Sequence, residues 1–563
     1  MKKMSLSIQI RENILRRLAE AAEKARAHGK LSFHVLPSYT LEVPREKKHG
    51  DLASNLAMLL AREARRSPRE IAAVLLQHFD PAGTWVTRTE IAGPGFINFF
   101  LDPAWLYLVP AEVIEQGKAY GRLQDGQGRK IQVEFVSANP TGLLHIGHAR
   151  GAALGDSLAN LLSAAGYEVV REFYINDAGN QIEKLGESLE VRYFQQIGLP
   201  AVMPEDGYHG EDLIETVSGF IKEFGNKYTN VDPRLRREAL VEYTLREKLA
   251  AIRETLERFG VHFDVWFSER TLHERGAVRE VIARLKEKDF VYEKDGALWF
   301  RASAWGEEKD EVVVRSNGVP TYFAADIAYH QDKFARGFDR VINIWGADHH
   351  GHVPRLRGAL AALGLDPERL EVILTQMVRL FRGGEQVRMS KRTGQYVTLD
   401  ELLEEVGKDA ARYFFVMRSA ESHLDFDLDL AASQSNENPV FYIQYAHARI
   451  CSIFRQAREA GVEIPESAGS ETELLQQPAE TEILQKIAEL PVEIRAAAQA
   501  REPHRIAYYA HELASMFHSY YNAHRVLAED ASLRKARLIL VRAVQVVLQN
   551  VLAILGLSAP ERM

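Results

Sequence analysis

Cysteine is almost absent from this chain: its 563 residues include one, Cys451. A disulfide within the chain is therefore impossible, and a thiolate zinc cage is excluded with it, so no structural zinc is expected. Long apolar runs are lacking as well, and none is expected to approach the roughly 20 residues that cross a bilayer. The first residues, Met1-Lys2-Lys3-Met4-Ser5-Leu6-Ser7-Ile8, lead into a charged helical pattern instead of an apolar signal core. Together these absences predict a cytoplasmic protein with no membrane partner. No internal repeat is visible either.

Positive charge is not in excess: 70 Lys and Arg stand against 78 Asp and Glu, a net charge of −8. That sign argues against a simple coating of nucleic acid. The distribution is uneven, however. Residues 1–110 carry 16 basic and 11 acidic side chains, a net of +5, which leaves −13 for the remainder. A basic block on an acidic chain points to a polyanionic partner held at one end. With 46% hydrophobic and 26% charged residues the composition is that of an ordinary globular protein, and the length calls for three or four domains.

Hydrophobic spacing predicts an amphipathic helix over 9–29, with Ile10, Ile14, Leu15, Leu18 and Ala22 on one face. A second helix is expected near 51–66, a third from Pro68, and a strand–turn–strand over 91–101, closing a mixed domain near Pro110. Next, residues 131–136 read as a strand, 146–165 as a helix and 167–174 as a strand, which makes a βαβ unit. Residues 180–290 look like a charged, mostly helical insertion. The sheet pattern resumes at 341–346, with a helix near 353–363 and a strand at 371–380. Beyond about 434 nearly everything reads as helix.

Two segments carry chemistry. Asn139-Pro140-Thr141-Gly142-Leu143-Leu144-His145-Ile146-Gly147-His148 lies between a strand and a helix. Free N–H groups at a helix start favour phosphate, Gly147 lets a flat base approach the backbone, and His145 and His148, three apart, can both donate to phosphate oxygens. The second segment, Gly383-Gly384-Glu385-Gln386-Val387-Arg388-Met389-Ser390-Lys391-Arg392-Thr393-Gly394, is a cationic loop after a strand and could form the other half of a phosphate clamp. A carboxylate, Glu134, falls in the predicted strand and requires a cation, from a ligand or from a local ion pair. Tyr322 and Asp326, four apart, would share a helix face; Tyr322 also reads as core. Asp348-His349-His350-Gly351-His352, after a parallel strand, reads as a loop at a ligand crevice, as a solvated loop or as a transition-metal site.

His145-Ile146-Gly147-His148 resembles the HIGH signature of class I aminoacyl-tRNA synthetases, and Met389-Ser390-Lys391 the core of their second signature, KMSKS. Within that class the chain is similar to bacterial arginyl-tRNA synthetases, essentially end to end. The strings carrying the likeness are Ser137-Ala138-Asn139-Pro140-Thr141-Gly142, Tyr174-Ile175-Asn176-Asp177-Ala178-Gly179-Asn180-Gln181, Ile344-Trp345-Gly346-Ala347-Asp348-His349-His350-Gly351-His352, the stretch from Asn438 to Arg449, and the ending Ala559-Pro560-Glu561-Arg562-Met563. Asp409-Ala410-Ala411-Arg412-Tyr413 resembles the motif that leads into the anticodon-binding domain. Arg388 and Arg392 depart from the second signature, and His349 stands where the family often has glutamine.

The resemblance implies an α/β fold: a Rossmann-like class I catalytic domain over 120–425 with a helical insertion around 180–290, an N-terminal α+β tRNA-binding appendage over 1–110, and a C-terminal α-helical anticodon-binding bundle over 426–563. It implies a monomer that joins L-arginine to arginine tRNA, with ATP as substrate and Mg²⁺ on the phosphates. His145, His148 and Lys391 would be catalytic. Asn139, Gly147, Gly346, Asp348, His352, Met389 and Ser390 would join them around ATP. Glu134, Asn139, Tyr322, Asp326 and His349 would contact arginine. A class I synthetase for another amino acid and a catalytically dead tRNA-binding relative remain the alternatives.

Overall fold

The computed structural model describes residues 4–563 except Arg45, Thr141, Asp206 and residues 388–396, together with the side chain of Glu211. Its first helix, Leu6–Ala27, buries Ile8, Ile10, Ile14 and Leu18 along one stripe, as the spacing predicts. Helix Pro68–His78 starts on a capping box in which the Ser67 hydroxyl and the Glu70 carboxylate each accept a backbone N–H. The expected helix near 51–66 is shorter. Leu52–Ser54 is a strand paired with residues 97–99, and the helix begins at Leu56. A tertiary partner overrides local preference there. Pro110 does not close the unit; it sits in the first turn of a helix, Val109–Gln116, where the missing N–H costs nothing.

The centre is a five-stranded parallel sheet: β1 Lys130–Glu134, β2 Glu168–Ile175, β3 Val265–Ser268, β4 Arg340–Gly346 and β5 Leu370–Thr375, in spatial order β5-β4-β1-β2-β3. Helix Ile146–Ala164 covers one face and helix Tyr322–Ala335 the other. Alternation along the strands divides the side chains. Ile131, Val133, Phe173, Ile342 and Ile344 enter the apolar cluster with helix Ile146–Ala164. Glu134, Glu172 and Asn343 turn to the other face and bond residues of helix Tyr322–Ala335.

The insertion proves helical over Asn180–Gln196, Glu211–Phe224 and Pro233–Arg258, but the expectation of helix to 290 fails at β3. Val265-Trp266-Phe267-Ser268 is an edge strand parallel to β2, its aromatic and β-branched residues packed on the sheet. The C-terminal region packs helices Pro439–Glu459, Pro478–Ala500, His504–Ala523 and Ala531–Leu555. The last is long and apolar enough to cross a membrane, contrary to the sequence expectation. In the fold it is the bundle's central helix, burying Leu538 to Val541, Val544, Val547, Leu548, Val551 and Leu552. One apolar cluster runs from Ile8 through the sheet face into this bundle, so residues 1–110 share a core with the rest of the chain.

Candidate active site

Chain order reverses between β1 and β4, and the carboxyl ends of those strands are the usual ligand position in an open parallel sheet. At the end of β1 the chain turns sharply. Val136 has φ 67° and Ser137 φ 40°, a conformation that strains a β-branched residue by about 1–3 kcal/mol and that clusters at functional sites. Ser137 holds the turn: its hydroxyl donates to Glu134 Oε1 (3.0 Å) and accepts the N–H of Tyr174 (3.1 Å). Beyond it Asn139 is exposed at the crevice, its Oδ1 accepting from Asn176 Nδ2 (2.7 Å).

The histidine motif forms the start of helix Ile146–Ala164. His145 is the N-cap, and its Nδ1 accepts the N–H of Gly147 (3.1 Å). His148 Nδ1 accepts the N–H of His145 (3.3 Å), and the two rings lie 3.8 Å apart. The expected free N–H groups are thus partly taken up by the cap. What faces outward are imidazole edges. Burial, helped by His145, pushes the His148 pKa down to about 3, so that ring is neutral. With Nδ1 accepting in both rings, each proton belongs on Nε2, and each ring is a neutral donor. Gly147 has a local reason too: a Cβ there would lie 3.0 Å from the His145 ring.

Met389, Ser390 and Lys391 lie outside the described residues. Their flanks do not. Val387 N donates to Leu380 O (2.8 Å), Thr398 makes a β-bridge with His145, and Leu399 N donates to Leu144 O (2.8 Å). The chain leaving the second signature is therefore tied to the histidine motif. At the end of β4, a Cβ on Gly346 would meet Asp348 Oδ1 at 2.5 Å. The side chains of Asp348 and His349 are 83% and 59% exposed. His352 instead turns back, its Nε2 2.9 Å from Asp326 Oδ2. These histidines do not converge, and among the described residues no group of three His, Cys, Asp or Glu side chains is arranged for a metal.

Tyr322 and Asp326 share a face of helix Tyr322–Ala335, with Tyr322 46% exposed. Beside them stands a residue that the sequence analysis missed. Glu269, just after β3, is 3% exposed; its Oε2 has no hydrogen-bond partner and its Oε1 lies 3.4 Å from His273 Nε2. Burial pushes its pKa up to about 7; the negative charges of Asp326 and Asp177 add to this, and a hydrogen bond from Tyr174 opposes it. Two carboxylates and the phenols of Tyr174 and Tyr322 thus meet around an unsatisfied acceptor. This is an environment for a cation rich in N–H donors. The available signal was the strand-like string Val265 to Ser268 ending in a carboxylate. Glu134, 5% exposed, is ion-paired with the fully buried Lys333, the local partner that a buried carboxylate needs.

The Asp409–Tyr413 segment is a joint. Arg412, fully buried, uses all five N–H donors: on Asp156 of the histidine-motif helix, on Phe259 O and Gly260 O after the insertion, and twice on Leu555 O. Asp409 accepts from Gln444 and from Ser558. The bundle and the catalytic helix are thus fixed to each other.

Three family models match the chain: an arginyl tRNA synthetase N terminal domain over 9–101, a class I (R) tRNA synthetase catalytic domain over 109–422, and a DALR anticodon binding domain over 443–563. An arginine–tRNA ligase of Moorella thermoacetica is 61% identical, over the whole of both chains. Among solved structures, a putative arginyl-tRNA synthetase from Campylobacter jejuni (34% identity, TM-score 0.75) covers 82% of this chain and is itself covered completely. The Thermus thermophilus arginyl-tRNA synthetase (26% identity, TM-score 0.76) covers 98% of this chain, again with all of its own length matched.

Proposed function

The chain belongs to the class I arginyl-tRNA synthetases, and from that premise we propose which of its residues do which part of the work. The enzyme is an arginine–tRNA ligase: L-arginine, ATP and arginine tRNA give arginyl-tRNA, AMP and diphosphate. An arginine carboxylate oxygen attacks the α-phosphorus of ATP and diphosphate leaves. A hydroxyl of the tRNA's terminal ribose then takes the arginyl group, and AMP leaves. No protein side chain needs to become covalently bound, so catalysis is positioning and charge stabilisation.

Phosphate is received by His145 and His148 as neutral Nε2–H donors, with Lys391 supplying positive charge as the diphosphate departs. Mg²⁺ accompanies the phosphates. Gly147 and Gly346 admit the adenosine closely, and Asn139, Asp348, Met389 and Ser390 complete its surroundings. The guanidinium lies between Asp326 and Glu269, with Tyr322 over it. His352 acts there, through its bond to Asp326, instead of on the nucleotide. The ammonium end is met by Asn139 and, beneath it, by Glu134, and His349 stands at the mouth. The observation that carries this assignment is the buried Glu269 carboxylate beside Asp326, with Oε2 left without a hydrogen-bond partner.

The division of the chain supports the same reading. Residues 120–425 carry the chemistry; 1–110, with a net charge of +5, and 426–563 hold tRNA. In the bundle, Arg449 stacks on Tyr445 and Tyr521 (4.5 and 5.0 Å to the ring centres) beside His518, a surface suited to stacking bases. A monomer supplies every residue named. The test is amino-acid-dependent exchange between ATP and diphosphate, run over all amino acids with and without arginine tRNA. Exchange with arginine alone supports the assignment. Exchange with another amino acid would overturn it.

A further inference from the structure

A buried hydrogen-bonded chain connects the two ends of the proposed arginine site. The backbone carbonyl of Asp326 accepts from His330 Nδ1 (2.8 Å), and His330 Nε2 accepts from Asn343 Nδ2 (2.7 Å). Asn343 Oδ1 accepts from Lys333 Nζ (2.9 Å), which also donates to Glu134 Oε2 (2.5 Å). Glu134 Oε1 in turn accepts from Ser137 at the strained turn. His330, Lys333 and Asn343 are 1%, 0% and 0% exposed. Burial drives the His330 pKa well below its ordinary value, so one ring nitrogen donates and the other accepts, as the chain requires.

The frame beneath this chain is rigid. Asn343 and Glu134 are direct register partners on adjacent parallel strands. Asp326, His330 and Lys333 lie at i, i+4 and i+7 on one helix. Lys333 also sits 4.2 Å from the Tyr329 ring, whose hydroxyl donates to Glu172, itself held by two bonds from Arg336. No link can shift without leaving a buried polar group unpaired, which is costly. An apolar helix–sheet contact would have held the fold without this polarity, and that makes the precision of the spacing the feature to explain.

We propose that Lys333, Asn343 and His330 are positioning residues that gauge substrate length, fixing the separation between Glu134 at the ammonium end and Asp326 at the guanidinium end. This rests on the arginine placement given above. A side chain of arginine's length would engage both ends at once. One methylene fewer or more would leave one charged end unmatched, and a pocket resolves such a difference by about 10–200-fold.

The test uses Asn343→Leu, close in size but unable to continue the chain. The probes are L-arginine, its homologue shorter by one methylene (2-amino-4-guanidinobutanoic acid) and homoarginine, in ATP–diphosphate exchange with arginine tRNA present. The preference for arginine over both homologues should shrink by about 10-fold, the lower end of one methylene's discrimination, mainly through the KM for arginine, while the KM for ATP is retained. A uniform loss for all three probes, or an unchanged preference, would overturn the proposal and leave the network a structural one. Should Asn343→Leu not melt cooperatively, Asn343→Asp keeps the volume and the acceptor for Lys333, removes the donor to His330, and carries the same expectation. Asp326→Asn is run in parallel. If it leaves the arginine KM unchanged, the placement of arginine has failed; if it raises that KM while preference stays intact in the Asn343 variants, only the gauge has failed.

Discussion

At the proposed phosphate end, His145 and His148 stand at a helix start, His148 as a neutral ring, and Thr398, beyond the second signature, pairs with His145. At the proposed arginine end, Glu134 and Glu269 are buried carboxylates and Asp326 a partly buried one, with Asp326 and Glu134 already bonded to His352 and Lys333. The contrast follows the charge that each ligand brings. A triphosphate arrives heavily solvated with its own cation, so neutral donors and one lysine suffice, and further positive charge would bind the ground state as well as the transition state. A guanidinium must be desolvated to be recognised, so its partners have to be set in the fold beforehand as buried, oriented anions. One end is built for turnover and the other for selection.

The largest expected effect tests the first half of that statement. Lys391→Ala should lower the single-turnover rate of adenylation by about 10²–10³, the scale of losing one charge-stabilising donor, and move the KM for ATP and arginine much less. An equal change in arginine KM would break the separation of the two ends. Asp326→Asn tests the second half. Truncating one partner of a desolvated charge pair costs about 2–5 kcal/mol, so the arginine KM should rise by about 30-fold or more while the ATP KM stays near its parent value. Steady-state titration of each substrate decides this.

A smaller effect sharpens the comparison through pH. Glu269 in the empty site is half protonated at about pH 7, and a guanidinium favours its ionised form. As pH falls below about 7 a proton must be displaced before arginine binds, so the arginine KM should climb by at most about tenfold per pH unit. Glu269→Gln should flatten that climb. The ATP KM should show no such feature from His148, which stays neutral down to about pH 3. A matching pH dependence for both substrates would contradict the assignment of Glu269. The smallest effect lies far from both ends. Arg62, Arg65 and Arg66 are exposed on the N-terminal unit; replacing all three with alanine should raise the tRNA KM by a few-fold and reduce the salt slope of tRNA binding by about 0.7–0.9 for each phosphate no longer neutralised. An unchanged slope would remove this face from the tRNA path.

Local signals made the histidine motif, the βαβ unit and the first amphipathic helix legible, because each is a short-range pattern whose physics acts within a few residues. Glu269 escaped because its meaning depends on β3 reaching the sheet edge, where Asp177 accepts the N–H of Arg270, 93 residues away. His352 likewise reads as part of a polar loop until the fold turns it toward Asp326. Ala531–Leu555 has the composition of a spanning helix, and only the surrounding bundle shows that its apolar surface meets protein.

The sequence by itself determined the class of the reaction, since the two signatures and their strand–loop–helix setting are contiguous strings whose chemistry is carried by residue type and spacing. Tertiary structure alone decided which charges are paired, which ring nitrogens carry protons and which carboxylate oxygen is left without a partner. Those properties belong to contacts such as Glu134 with Lys333, 199 residues apart. Burial and pairing are set by what packs across the sheet, and a linear string does not state what will be packed against it.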